Sequence, residues 1–163
     1  MRTRIVTALA GAVVACMFGI PTASASPSGE LWDLANAQHV AAGCAPYTDN
    51  PTLGNTALDI SKTIANPPGG IAGDGRYPTD GMLADKGYFV TTWGEADYYN
   101  SEANGSPKGA MDFWLANPTK DIFSNCDIKE MATAVWIQNG RWVAVLLAAS
   151  PGGTPPEPAE QPH

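Results

Sequence analysis

Histidine is the side chain that titrates nearest neutral pH and most often carries acid–base or metal chemistry. This chain of 163 residues has two, His39 and His163. They do not have the spacing of metal ligands. No Ser/His/Asp or Cys/His arrangement can be drawn without His39. The neighbours of His39 place it on an exposed or half-exposed helix face, which makes it a surface residue. Carboxylates are the other source of chemistry. Glu95 is the candidate general acid, and that role needs a raised pKa and a partner. Glu95 with Asp97, or with Glu102, would give the paired carboxylates of glycoside hydrolysis. Sixteen acidic residues make such pairs easy to draw, so a hydrogen-bonded structural carboxylate is the stronger expectation for Glu95. Aromatic residues could form a ligand platform. Tyr98 and Tyr99 adjoin the Gly/Asn/Ser-rich stretch 100–106 and read as an exposed binding loop. Trp136 and Trp142 flank an Asn-Gly turn and read as cross-strand packing.

The segment before these residues is an address. Arg2 and Arg4 precede a nearly unbroken apolar run, Ile5 to Ile20, and Ala23-Ser24-Ala25 is a small-residue cleavage pattern. Residues 1–25 therefore read as a secretory signal peptide, with the mature chain starting at Ser26. Val13-Val14-Ala15-Cys16 also resembles a lipidation signal, so lipid anchoring at Cys16 is the alternative. The apolar Met17, Phe18 and Ile20 beyond Cys16 favour the longer signal. No other stretch approaches the roughly 18 apolar residues of a membrane span. An exported chain is expected to oxidise its thiols. The remaining pair, Cys44 and Cys126, reads as one disulfide, with two separate buried thiols as the alternative. The formal net charge of −7 argues against a nucleic-acid partner and against adhesion to an anionic membrane through charge.

The composition is 44% hydrophobic and 15% charged, which excludes a disordered chain. Residues 150–163 hold five prolines and two glycines and cannot form a core, so the tail is expected to be disordered and the folded body to span 28–149. Ser28 is the expected N-cap of a first helix ending at Gly43. A second helix is expected over 55–65, stopped by Asn66-Pro67-Pro68. A glycine-rich loop over 69–78 and a short helix over 79–86 follow. Tyr88 to Trp93 reads as a strand. Ser106-Pro107 starts a helix running to Ala116, with Ala110, Phe113 and Trp114 on its apolar face. Residues 131–138 and 141–149 form a hairpin, because Asn139-Gly140 suits a type I′ turn. This order predicts an α+β domain with an antiparallel sheet and helices packed on it.

These pieces resemble the CAP superfamily of cysteine-rich secretory and pathogenesis-related proteins, in its bacterial single-domain secreted form. Asn36 followed by Gly43-Cys44-Ala45-Pro46 is similar to that form's N-x-x-R-x-x-x-G-C-P-P stretch. Pro51 and Leu53, Asp74-Gly75, Gly87-Tyr88 and Gly94-Glu95 fit later positions. Trp114, Asn117-Pro118, Ile122, Asn125-Cys126 and Asp127 follow its W-x-x-S-P-G-H-R-x-x-I-L-N-C-D line. The resemblance implies a three-layer α-β-α sandwich with a small central antiparallel sheet, and a Cys44–Cys126 disulfide. It also implies a cleft with two histidines and two acids, the histidines able to hold a divalent metal. Here Ile60 and Lys120 stand at the two histidine positions, Glu95 is retained, and the second acid has no clear counterpart. Lys120 could then form an ion pair with Glu95.

The expectation that follows is a secreted, non-enzymatic domain with no metal and no cofactor. It would be monomeric and bind a lipid or other envelope-associated ligand through a remodelled cleft, for which Glu95, Lys120, Ile60, Tyr98 and Tyr99 are candidates. A structural or protein-interaction module of the cell envelope is the alternative, and a hydrolase using Glu95 is a third reading.

Overall fold

The computed structural model describes residues 26–66, 79–102 and 104–154. The expected signal peptide, the glycine-rich loop and the distal tail lie outside these residues.

Three of the helices begin in the same way. Helices α1 (Pro27–Ala41), α2 (Pro51–Ala65) and α4 (Pro107–Leu115) each have proline in their first turn and Ser or Asn immediately before it. Proline's fixed φ suits that place and its missing N–H is not needed there. The Ser26 and Ser106 hydroxyls accept from the Gly29 and Gly109 N–H groups, both at 3.1 Å. Asn50 Oδ1 accepts from Thr52 at 2.8 Å and Leu53 at 3.2 Å. Ser28 is therefore not the cap of α1. Its hydroxyl accepts from Val135 N–H at 3.0 Å, and its carbonyl accepts from Thr133 Oγ1 at 2.7 Å. It fastens the first turn of α1 to a strand. Likewise α2 starts four residues earlier than expected, because Asn50-Pro51 supplies cap and first residue. The short helix α3 covers Thr79–Asp85. A single 3-10 turn, Pro118–Lys120, leads into α5 (Asp121–Ser124).

The strands are β1 (Thr48–Asp49), β2 (Val90–Asn100), β3 (Glu130–Gln138) and β4 (Arg141–Pro151), in the sheet order β1-β3-β4-β2. The β3–β4 and β2–β4 pairs are antiparallel, and the two-residue β1 adds to β3 in parallel. The hairpin turn has φ of 51° at Asn139 and 75° at Gly140, both positive as a type I′ turn requires.

Strand alternation splits the core in two. On one face Ala96, Met131, Trp142, Ala144, Leu146 and Ala148 meet Leu31 and Ala35 of α1, Met111 and Trp114 of α4, and Phe123 of α5. On the other, Ala132, Ala134, Val143, Val145, Leu147 and Ala149 meet Leu53, Ala57, Ile60 and Ile64 of α2, and Leu83 of α3. The result is the expected α-β-α sandwich.

Five local expectations are corrected. Trp136 pairs with Val143, and Trp142 with Ile137, so the two tryptophans pack on opposite faces of the sheet and do not touch as a cross-strand pair. Phe113 is 49% exposed, and Met111 takes its place in the core. The tail contributes to the fold at its start, since β4 runs through Ser150 to Pro151. Strand β2 does not stop at Trp93 but continues to Asn100. Gly94 has poor strand propensity but is required there, because a Cβ would lie 2.7 Å from Ile122 Cγ1. Tyr98 and Tyr99 are consequently strand residues, half-buried on opposite faces, and not an exposed loop. The ring of Tyr98 meets those of Phe113 and Trp142, at centroid distances of 5.6 Å and 5.7 Å.

Cys44 and Cys126 form the disulfide, with Cα atoms 5.1 Å apart and 82 positions between them in sequence. For a loop of that size the chain-entropy model gives a stabilisation of roughly 4.5 kcal/mol. The double variant Cys44→Ser/Cys126→Ser is expected to lose about 2–5 kcal/mol of unfolding free energy, measured by urea denaturation beside the oxidised protein.

Candidate functional site

On strand β2, residues two apart share a face. Trp93, Glu95, Asp97 and Tyr99 therefore all point toward the α2/α3 layer, while Ala96 and Tyr98 point the other way. This spacing sets the carboxyl groups of Glu95 and Asp97 side by side along the strand, near enough for each to influence the other's ionisation, and Asp97 Oδ1 is buried there without a hydrogen-bond partner. Thr79, the first residue of α3, donates its hydroxyl to Glu95 Oε2. The Trp114 indole N–H donates to the Asp97 backbone carbonyl at 2.9 Å and holds the strand from the opposite layer.

Burial, which penalises charge, raises both acids. For Glu95 it outweighs the hydrogen bond from Thr79, which favours the charged form. For Asp97, burial is reinforced by the charge of Glu95, and its pKa is pushed up to about 8. Asp97 is the acid that the strand sets next to Glu95. The signal for it was the alternation of a strand, which was not expected to extend beyond Trp93.

A groove of about 450 Å³ lies between α3 and the start of β2, lined by neither of the two acids. Asp80 and Ala84 of α3 form one wall, and Tyr88, Phe89 and Trp93 the other. Thr154, just beyond β4, closes one end. The chain after β4 is held there because the Gly152 and Gly153 N–H groups donate to the Phe89 carbonyl at 3.1 and 3.3 Å. Tyr88 donates its hydroxyl to Glu130 Oε2 at 2.6 Å. Burial and the Glu130 carboxylate raise its pKa, so the phenol stays neutral.

The sequence candidates are dispersed. Ile60 is fully buried under α2 on the Glu95 side, as part of the apolar core. Lys120 is exposed in the opposite layer, beside Gln38, Ala41 and Phe123. The anticipated Lys120–Glu95 ion pair does not form. Among the described residues the ion pairs are Lys86–Asp59 at 2.9 Å and Lys108–Asp112 at 2.5 Å.

His39 is also corrected, being 1% exposed. Its Nδ1–H donates to the Phe123 carbonyl at 2.9 Å, and its ring stacks on Tyr47 at 3.7 Å. Tyr47 in turn donates its hydroxyl to the Ile122 carbonyl at 3.1 Å and its N–H to Asn36 Oδ1 at 2.9 Å. Desolvation lowers the His39 pKa, the Phe123 carbonyl partly opposes this, and Lys129 adds to the lowering. The histidine joins α1 to α5 as a neutral core group. Among the described residues, no three His, Cys, Asp or Glu side chains are grouped to hold a metal ion. None of the described helices is long and apolar enough to cross a membrane.

A sheet of this order, with α1, α4 and α5 on one face and α2 and α3 on the other, defines a class of α-β-α sandwich. No family model and no curated protein matches the sequence. The fold does match solved structures. It is similar to a cysteine-rich secretory protein from Staphylococcus aureus, with a TM-score of 0.56, 14% identity, and coverage of 74% of this chain and 38% of that one. An extracellular protein containing an SCP domain from Bacillus anthracis gives 0.57, 12%, 74% and 39%. An outer surface protein from Borrelia burgdorferi gives 0.60, 13%, 75% and 90%. The chain thus spans well under half the length of the first two. At these identities the likeness shows the fold alone, one shared with cysteine-rich secretory and SCP-domain structures.

The carboxyl pair fixes a pH dependence. Unfolded, the two acids ionise near 3.8 and 4.5, whereas in the fold Asp97 keeps its proton to about 8. The folded state binds more protons across that interval, so this pair's contribution to stability falls as pH rises through it. Chemical denaturation between pH 5 and 9 is expected to show this decline, and Asp97→Asn is expected to flatten it.

Proposed function

We propose that this protein acts outside the cell as a non-enzymatic CAP-fold binding domain for a lipid or other envelope-associated ligand, with the α3–β2 groove as its binding site. The observation that carries this reading is the groove itself. Three aromatic residues line it, and it adjoins α3, whose first residue, Thr79, is hydrogen-bonded to the retained Glu95. Pockets of this size are typical of small-molecule sites. Support for a non-enzymatic role comes from the two positions where the family resemblance implies histidines. One is Ile60, inside the apolar core, and the other is Lys120, on the far side of the sheet. The extracellular setting is supported by the signal-like segment 1–25, the Cys44–Cys126 disulfide and the extracellular and outer-surface proteins of similar fold.

A second reading is favoured by one observation. Two neighbouring buried carboxyl groups with raised pKa values are a form of acid–base apparatus. A hydrolase would use Glu95 or Asp97 to move a proton to or from a bound substrate.

The readings separate in a native mass spectrum of protein recovered without detergent from its producer's medium. A binding domain is expected to carry an extra mass that organic solvent releases. Trp93→Ala is expected to arrive without that mass, while Glu95→Gln retains it. Bare wild-type protein would overturn the proposed function and leave an interaction module. Hydrolysis of an envelope extract that is abolished in Glu95→Gln would establish the second reading.

A further inference from the structure

We propose that the α3–β2 groove takes a small alkylammonium cation of the choline type, held against the indole of Trp93 with Asp80 as its counter-charge. This rests on the reading of the groove as a binding site and adds the ligand class.

Three features carry it. First, Trp93 is 39% exposed within the groove. An indole face is the best aromatic surface for a cation, and a quaternary ammonium gives up less hydration than a primary one when it leaves water. Tyr88 and Phe89 extend the aromatic wall. Tyr88 is kept neutral by its bond to Glu130, so the wall contributes ring faces and no charge.

Second, among the described lining residues the single permanently charged side chain is Asp80. Its Oδ1 accepts from the N–H of Gly81 at 2.9 Å, in its own turn. The nearest lysine on the α3 side, Lys86, is turned to α2, where it reaches Asp59 at 2.9 Å and Thr56 at 3.1 Å. The formal net charge of −7 favours the approach of cations over anions in the same sense.

Third, two of the three hydroxyl groups lining the groove are already engaged, which leaves the Thr154 hydroxyl and the Asp80 carboxylate as its remaining polar side-chain groups. The Thr91 hydroxyl donates to the Ser150 carbonyl at 3.2 Å, and that of Tyr88 is engaged with Glu130. A quaternary ammonium needs no hydrogen bond, only ring faces and one carboxylate.

The experiment is an NMR titration of the folded protein with choline chloride, followed at the Trp93 indole N–H, which Trp93→Phe identifies by its disappearance. Choline is expected to shift this resonance saturably. The neutral carbon isostere of choline, in which carbon replaces the charged nitrogen, is expected to bind at least about tenfold more weakly. Asp80→Asn is expected to bring choline down toward the isostere, and the exposure of Asp80 keeps the fold out of the comparison. Equal binding of choline and the isostere would overturn the cation proposal and leave the groove as an apolar site, with the proposed function intact. Binding of neither would overturn both. If deleting residues 155–163 shifts the Trp93 resonance without any ligand, and choline binds no better afterwards, the occupant is the chain's own proline-rich segment and the proposal fails. Once choline binds, flotation with phosphatidylcholine or phosphatidylglycerol vesicles distinguishes the sources. Selective capture by the former points to a lipid headgroup, and capture by neither to the free cation.

Discussion

Everything in this fold is arranged around the complete burial of β4. From Trp142 to Ser150 no residue of the strand is exposed, and eight of the nine are apolar or aromatic. A strand covered on both faces must be apolar at every position rather than at alternate ones. It therefore needs a strand on each side and a helical layer above and below, and the chain provides all four. β3 arrives by a two-residue turn and β2 by a long connection through α4. α1, α4 and α5 cover one face, α2 and α3 the other. Strand β2 lies at the sheet's edge as a result, and its face toward α3 is the place where polar groups can stand beside the core without being sealed in it.

That position explains the chemistry of Glu95 and Asp97. Each is buried enough to resist ionisation, and each faces the other. Burial and the nearby charge of Glu95 raise the Asp97 pKa, and the Thr79 hydroxyl, donated to Glu95, opposes the rise that burial causes there. The same edge leaves Trp93 uncovered one step along the strand. The carboxyl pair and the aromatic groove are thus products of one strand whose alternate residues meet a short helix.

Local signals in the sequence were readable, and contacts between distant residues were not. Asn139-Gly140 announced the hairpin because the required backbone angles are affordable to few other residue pairs. Ser106-Pro107 announced α4, and the same cap-and-proline pairing at Ser26-Pro27 and Asn50-Pro51 could have placed the starts of α1 and α2. The extent of β2 was hidden by Gly94, whose purpose depends on Ile122 from a different layer. The burial of His39 was equally illegible. It arises from Phe123, 84 positions away, and from a tyrosine in the loop after α1. Asp97 was considered only as one of several acids near Glu95, since its alignment with Glu95 follows from a strand that seemed to have ended. The groove draws on α3, β2 and the residues after β4, and no single stretch of sequence carries it.

The disulfide also has a consequence for a protein exposed to proteases. Cys44 and Cys126 enclose α2, α3, β2 and α4, which include most of the lining of the groove. A cut anywhere between them opens the chain but does not divide the molecule. The two pieces remain one covalent body, with α1 and the β3–β4 hairpin still tied together next to the His39–Tyr47 stack. Backbone damage around the groove is thereby separated from loss of the scaffold, and only a reductant would turn the first into the second.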